Sequence, residues 1–380
     1  MMRVVTIQTA LSWQGARPSG LNRVFRELTR RLPGLGVEVH GLVAGDANVA
    51  VESGGAITAF ASTTAPIWWR IAKARGAAAR LVRAHRGAVL VSHFAPYGLA
   101  LLAVRGRQRF VVHFHGPWSA ESRAEGRGDL SVALRGAIER FVYRRADACV
   151  VLSVAFGELL VRDFGVARER VHVIPGATDV ERFASLPPRA DARRALGWAD
   201  GVPTVLTVRR LVRRMGIDRL IDAVPAILRS APGIRVLIAG DGPEREALQA
   251  RIVDRGVTAS VTMLGRLTDD QLGLAYRAAD LTVVPSIALE GFGLIVPESL
   301  AAGTPALVTP VGGLPETVRD LSPDLVLAES DVDSIARGIV EAFDGTRALP
   351  DAATCAAFAR ANYDWSLAAS RTADLYASLA

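Results

Sequence analysis

Nine residues, Glu290-Gly-Phe-Gly-Leu-Ile-Val-Pro-Glu298, hold two carboxylates and two glycines and are the best equipped for chemistry in this chain. Gly291 and Gly293 let a backbone approach a ligand closely, because no Cβ stands in the way. The first N–H groups of a helix lack intrahelical partners and carry partial positive charge, so a helix starting here attracts anions. Pro297 suits a first helical turn, where its missing N–H is not needed. Glu290 and Glu298 can each accept hydrogen bonds from hydroxyls. The set describes a site for a ligand that is part phosphate and part polyol.

Such a loop needs a strand to deliver it and a helix to carry the chain away. Leu281-Thr-Val-Val-Pro-Ser286 reads as a buried parallel strand, and Ser299 to Ala302, stopped at Gly303, as helix. The same alternation recurs through the second half, with strands near 203–208, 234–239, 260–264, 281–285, 304–308 and 324–328. It predicts a doubly wound parallel α/β sheet. The first half repeats the theme, with strands at 3–9, 38–44, 56–62, 88–94, 110–114, 148–153 and 170–175. A length of 380 residues fits two domains. The proline-containing linker Leu186-Pro-Pro-Arg-Ala-Asp191 divides them, giving domains of 1–186 and 187–362 and a last helix in 363–380.

Other candidates lie where strands end, which is where open α/β sheets bind ligands. His115 follows the 110–114 strand; His113, inside it, reads as a satisfied core histidine. Thr207-Val-Arg-Arg-Leu-Val-Arg-Arg-Met-Gly216 concentrates cations after the 203–208 strand. Pro18-Ser-Gly-Leu-Asn22 joins the first strand to a helix over 23–32, a geometry that suits phosphate, although G-x-G-x-x-G is absent. Ser119 to Asp129 reads as a polar loop suited to a lid.

The spelling E-G-F-G-x-x-x-x-E resembles the signature of the retaining glycosyltransferases of family 4. The resemblance continues through Ala301-Ala-Gly-Thr-Pro305, Val311-Gly-Gly-Leu-Pro-Glu316 and Pro175-Gly-Ala-Thr-Asp-Val-Glu-Arg-Phe183. It implies the GT-B architecture: two Rossmann-like domains facing across a cleft, with a C-terminal helix returning to the first. It also implies transfer of a hexose-type sugar, with retention and without a metal or other cofactor, from a nucleotide diphosphate sugar such as a UDP- or GDP-sugar.

Carried over residue by residue, the resemblance gives Glu290 the sugar hydroxyls and Glu298 the ribose. Gly291, Phe292, Gly293 and Leu294 hold the phosphates or sugar through backbone N–H groups. His115 meets the donor sugar, Gly265, Arg266 and Leu267 meet the base, and Ser19 and Gly20, with Asn22, face the phosphates. Arg210 holds the diphosphate. The lysine usual at the position of Met215 is missing, so Arg213 or Arg214 is the expected substitute cation. Asp179 and Phe183 read as structural, and Asp331 as a helix cap.

Composition narrows the rest. No run of 18 apolar residues is present, and Met-Met-Arg-Val-Val-Thr-Ile enters a strand pattern directly; the expectation is a cytoplasmic chain without a secretory signal. Cys149 and Cys355 read as buried thiols. A net charge of +7 favours anionic partners, but no zinc-finger spacing or RNA-binding aromatic motif supports nucleic acid. Residues 66–86 read as a basic helix carrying Trp68 and Trp69. Such a helix can lie on the inner face of an anionic membrane. The favoured alternative is a crossover helix with its tryptophans in the core. The acceptor is expected to be a bacterial surface glycan or glycolipid, with a soluble small molecule as the second choice. A non-catalytic sugar-nucleotide-binding protein is the rival of another class.

Overall fold

The structure, a computed structural model, describes residues 3–13 and 20–380. Two compact units divide it: residues 1–176 with 365–380, and residues 177–364. The division comes ten residues before the proline linker. The short helix Val180–Ala184 explains this, because Phe183 is buried against Tyr276 and its carbonyl accepts from Arg277.

The first unit holds seven parallel strands: β1 Val4–Ser12, β2 Val37–Ala44, β3 Ile57–Ala61, β4 Val89–Ser92, β5 Phe110–Phe114, β6 Ala148–Val151 and β7 Val171–Val173. Their order is β3-β2-β1-β4-β5-β6-β7. From β1 the chain winds to one side and from β4 to the other, so a topological switch point lies between them. The central strands are buried on both faces, as in Val89–Ser92 and Ala148–Val151, because helices cover both sides. The last helix, Trp365–Leu379, packs on helix Gly20–Arg31 of this unit; Trp365 is buried there under the Arg31 guanidinium.

The second unit holds five parallel strands: β8 Thr204–Val208, β9 Arg235–Ala239, β10 Val261–Gly265, β11 Leu281–Val284 and β12 Ala306–Val308. The order β10-β9-β8-β11-β12 puts its switch point between β8 and β11. The expected strand at 324–328 is instead a 3-10 turn, Pro323–Leu325, capped by Ser322. Only Val326 bridges to Val308, since Pro323 starts the turn and leaves too little extended chain for a ladder.

Two other expectations change. The 119–129 segment is not a loop: helix Trp118–Ala124 runs through it, because the buried Glu139 carboxylate accepts from the N–H groups of Trp118 and Ser119 at 2.7 and 3.0 Å. Burial raises the pKa of Glu139, with these hydrogen bonds opposing the rise. The basic helix Ile67–Ala84 is a crossover between β3 and β4, but its tryptophans are not in the core. Trp68 is 66% exposed and Trp69 42%, because alanines 74, 77 and 78 and Val82 form the buried face. Cys149 and Cys355 are buried free thiols, each pushed up to about 12 by burial.

Candidate active site

In the second unit, side chains from both sides of the switch point meet. Arg209 leaves the end of β8, and Ser286 and Glu290 lie in the loop after β11. The Arg209 guanidinium donates to both the Ser286 hydroxyl and Glu290 Oε2, and Ser286 Oγ donates to the same carboxylate oxygen at 3.2 Å. The ion pair is largely shielded, with side-chain exposures of 6% for Arg209 and 12% for Glu290. Arg209 Nε is buried with no hydrogen-bond partner. The Met215 sulfur faces Ser286 Oγ at 4.0 Å, so an apolar residue backs the cluster on one side.

The backbone around this cluster is held tightly. Leu289, just before Glu290, has φ 53°, the only positive value at a non-glycine among the described residues. Such a conformation costs on the order of 1–3 kcal/mol and persists only where neighbours enforce it. Arg214 Nη1 holds the Leu289 carbonyl at 3.0 Å, and Gly313 N holds the Glu290 carbonyl at the same distance. A Cβ on Gly312 would stand 2.0 Å from the Glu290 carbonyl oxygen, and one on Gly240 would stand 1.8 Å from that of Arg209. Both residues therefore must be glycine for these two backbones to sit where they do.

Glu298 lies on helix Ile295–Ala301, buried to 2% exposure, where its Oε2 accepts from the Tyr276 hydroxyl at 2.9 Å. That helix has seven residues, and the loop Gly291–Leu294 leads directly into it. Gly293 keeps φ 76° there. Gly265 ends β10 with φ 71°, and its carbonyl accepts from Gly240 N at the end of β9. Arg266 is exposed and Leu267 half-buried beyond it.

The first unit carries a second cluster near its own switch point. His93 follows β4 and His115 follows β5. His93 Nδ1 lies 3.1 Å from His115 Nε2, His93 Nε2 lies 3.2 Å from Gln8 Oε1, and His113 Nε2 lies 2.8 Å from the Tyr376 hydroxyl. The three rings stack, with the centroids of His93 and His113 at 4.4 Å. Burial, and for His113 the neighbouring His115, lowers the pKa of His113 and His115 to about 3; His93 is also held well below its usual value.

These neutral rings have a cost in acid. Below ~6.5 the unfolded chain takes up protons that the folded chain refuses until about 3. Stability is full above that window and falls within it by up to ~1.4 kcal/mol per pH unit for each histidine. The expected result is a Tm that drops from about pH 7 to about pH 5 in the wild type and drops less in His113→Gln.

Comparison with known proteins fits this picture. The chain matches two family profiles, Glycosyltransferase Family 4 over residues 18–182 and Glycosyl transferases group 1 over residues 188–362. It is 33% identical over 292 residues to the GDP-mannose-dependent alpha-(1-6)-phosphatidylinositol monomannoside mannosyltransferase of Mycobacterium tuberculosis, covering 73% of this chain and 72% of that protein. The chain belongs to the family 4 glycosyltransferases.

A second relative, the 2-deoxystreptamine glucosyltransferase of Streptomyces kanamyceticus, is 29% identical over 231 residues, or 60% of this glycosyltransferase and 58% of that protein. The chain thus spans little more than half of that relative. Among solved structures, sucrose-phosphate synthase from Thermosynechococcus elongatus superposes with a TM-score of 0.81 at 22% identity, covering 99% of both chains. Anabaena HepE in complex with UDP-glucose gives 0.77 at 19% identity, covering 99% of this chain and 100% of that one. The glycosyltransferase therefore has the GT-B fold class.

Glu290 has the partner that sequence reasoning missed: Arg209, the residue before the expected Arg210. The side chain of Arg210 is exposed, as is that of Arg213, while Arg214 is engaged by the Leu289 carbonyl. A run of four arginines in six residues gave no signal as to which one turns inward; the deciding contact is with Ser286, distant in sequence. Gly20 begins helix Gly20–Arg31 and is exposed; Ser19 lies outside the described residues. Asn22 is engaged internally, its amide donating to Ser12 Oγ at 2.9 Å. Asp331 caps its helix by accepting from Ser334 N at 2.7 Å. Among the described residues, no group of three or more His, Cys, Asp or Glu is arranged to hold a metal ion.

Proposed function

We propose that this chain is a retaining hexosyltransferase that uses a UDP- or GDP-sugar without a metal and builds a surface glycan or glycolipid. The observation that carries this reading is the Arg209–Ser286–Glu290 cluster at the β8/β11 switch point. Glu290 accepts from sugar hydroxyls through its less engaged oxygen, and the N–H groups of Gly291, Phe292, Gly293 and Leu294 take the phosphates or sugar. Glu298 takes the ribose, and Gly265, Arg266 and Leu267 border the base. In the first unit, His115 is the candidate for a sugar hydroxyl and Gly20, with Ser19, the candidate for phosphate.

The leaving diphosphate gains negative charge as the glycosidic bond breaks, and preorganised cations stabilise it. Arg209 sits beside the expected place of that charge, and Arg210 and Arg213 are exposed cations on the same loop. Met215 cannot donate, so the arginines take the role of the missing lysine. With that charge compensated, no divalent ion is needed. The donors named for the relatives, GDP-mannose and UDP-glucose, are the first to try. The test is donor turnover in the presence of EDTA, followed by NMR of the product's anomeric configuration. Activity with an α-linked product supports the proposal; activity that requires added metal, or a β-linked product, opposes it.

A lipid-linked acceptor is favoured over a soluble one by a specific surface. Trp68 and Trp69 stand exposed on the basic helix, with the Lys73 ammonium 4.6 Å from the Trp69 ring centroid. Tryptophan beside cations is suited to an anionic headgroup layer. Replacing both by alanine is expected to reduce cosedimentation with phosphatidylglycerol vesicles roughly 10-fold while leaving donor hydrolysis intact. Unchanged vesicle binding would favour the soluble acceptor.

A further inference from the structure

We infer that Thr6, Gln8 and His93 form a wire of hydrogen bonds that fixes which nitrogen of His115 carries its proton, leaving His115 Nδ1 as an open acceptor for a ligand hydroxyl. The wire itself follows from geometry. Its link to a sugar hydroxyl rests on the proposed function.

The direction of the wire is set at its far end. Thr6 Oγ1 lies 3.0 Å from the Glu38 carbonyl oxygen, and two oxygens at that distance need a proton between them. The Thr6 hydroxyl therefore donates to Glu38, and its oxygen must accept from the next group. That group is Gln8, whose amide nitrogen is 3.0 Å away. With the nitrogen facing Thr6, Gln8 Oε1 faces His93 Nε2 at 3.2 Å and can only accept. His93 is neutral in its buried stack, so the proton on Nε2 is its only ring N–H, and Nδ1 is bare. Bare Nδ1 faces His115 Nε2 at 3.1 Å, so His115 must carry its proton there.

The chain ends at His115 Nδ1, which is buried and has no hydrogen-bond partner. With Nε2 protonated and the ring neutral, Nδ1 is a pure acceptor. The reverse polarity would leave an orphan N–H there and an unprotonated contact between Thr6 and Glu38. A phosphate or carboxylate cannot satisfy Nδ1; a hydroxyl donor can. Thr6, Gln8 and His93 are thus positioning residues, and Thr6 and Gln8 have no exposed surface at all.

The experiment is long-range ¹⁵N–¹H NMR of the full chain with ¹⁵N-labelled histidine, His115 being assigned by loss of its signals in His115→Gln. The expected spectrum shows Nδ1 unprotonated and Nε2 protonated, without averaging. A protonated Nδ1, or shifts averaged between tautomers, overturns the wire. Gln8→Met removes the acceptor and is expected to move both nitrogens toward the average. Gln8→Glu, which keeps an acceptor facing His93, leaves His115 Nδ1 free of averaging with Nε2; if Gln8→Met does not fold, Thr6→Val, which frees Gln8 to flip, replaces it. Unchanged tautomers in the folded Gln8→Met or Thr6→Val protein count against the wire. Addition of UDP-glucose and GDP-mannose is expected to shift Nδ1 in a way that UDP and GDP alone do not. Equal shifts with and without the sugar overturn the hydroxyl assignment. If the tautomer pattern holds while no nucleotide binds, the wire stands and the proposed donor falls.

Discussion

Arg209→Met is expected to slow sugar transfer by about 10²–10³-fold, the scale of removing one preorganised donor from developing charge. Methionine preserves volume and hydrophobic packing, so the change isolates the guanidinium. The stability effect should also be large, because it leaves the Glu290 carboxylate without its cation in a largely shielded place. Breaking such a pair costs about 3–5 kcal/mol, whereas removing both charges is far milder. The double variant Arg209→Met/Glu290→Gln should therefore recover much of the Tm lost in Arg209→Met and none of the turnover. This separates a catalytic pair from a merely structural one. If Arg209→Met turns over like the wild type, Arg209 only supports the fold and the exposed Arg210 regains the role that sequence reasoning gave it.

Glu298→Ala is expected to weaken donor binding by about 10- to 100-fold, since hydrogen bonds to a charged acceptor contribute about 1.5–3 kcal/mol. The Tyr276 hydroxyl loses its acceptor in the same variant, and Tyr276 has no exposed surface. Loss of that hydrogen bond lowers stability as well. Tyr276→Phe is the control: it removes the internal hydrogen bond but leaves Glu298 able to take ribose. Calorimetry should show donor affinity falling much more in Glu298→Ala than in Tyr276→Phe. Equal losses would make Glu298 a packing residue.

Much of this architecture can be read in the sequence because parallel strands leave a strong mark. Runs such as Leu281–Val284 are apolar apart from Thr282, and their regular alternation with helices foretells two doubly wound sheets. The loop from Glu290 to Glu298 is visible because glycines and carboxylates rarely crowd a strand end without a purpose. What cannot be read is contact across the sheet. Arg209 and Arg210 are neighbours of the same type, and only the register of β8 beside β11 decides which of them meets Ser286. The tryptophans at 68 and 69 mislead for a related reason: apolar size suggests burial, but the alanines two turns on pack closer to the sheet. The Gln8–His93–His115 chain is invisible because its members come from β1 and from just past β4 and β5, far apart in sequence.

The most direct test of the donor site is calorimetric titration of UDP-glucose and GDP-mannose, with EDTA present, into wild type, Glu298→Ala and Arg209→Met. The expected result is saturable binding of one of these donors to the wild type, at least 10-fold weaker binding in Glu298→Ala, and weakened binding in Arg209→Met. A folded wild type that binds neither donor, or that binds one equally well in all three proteins, would contradict it.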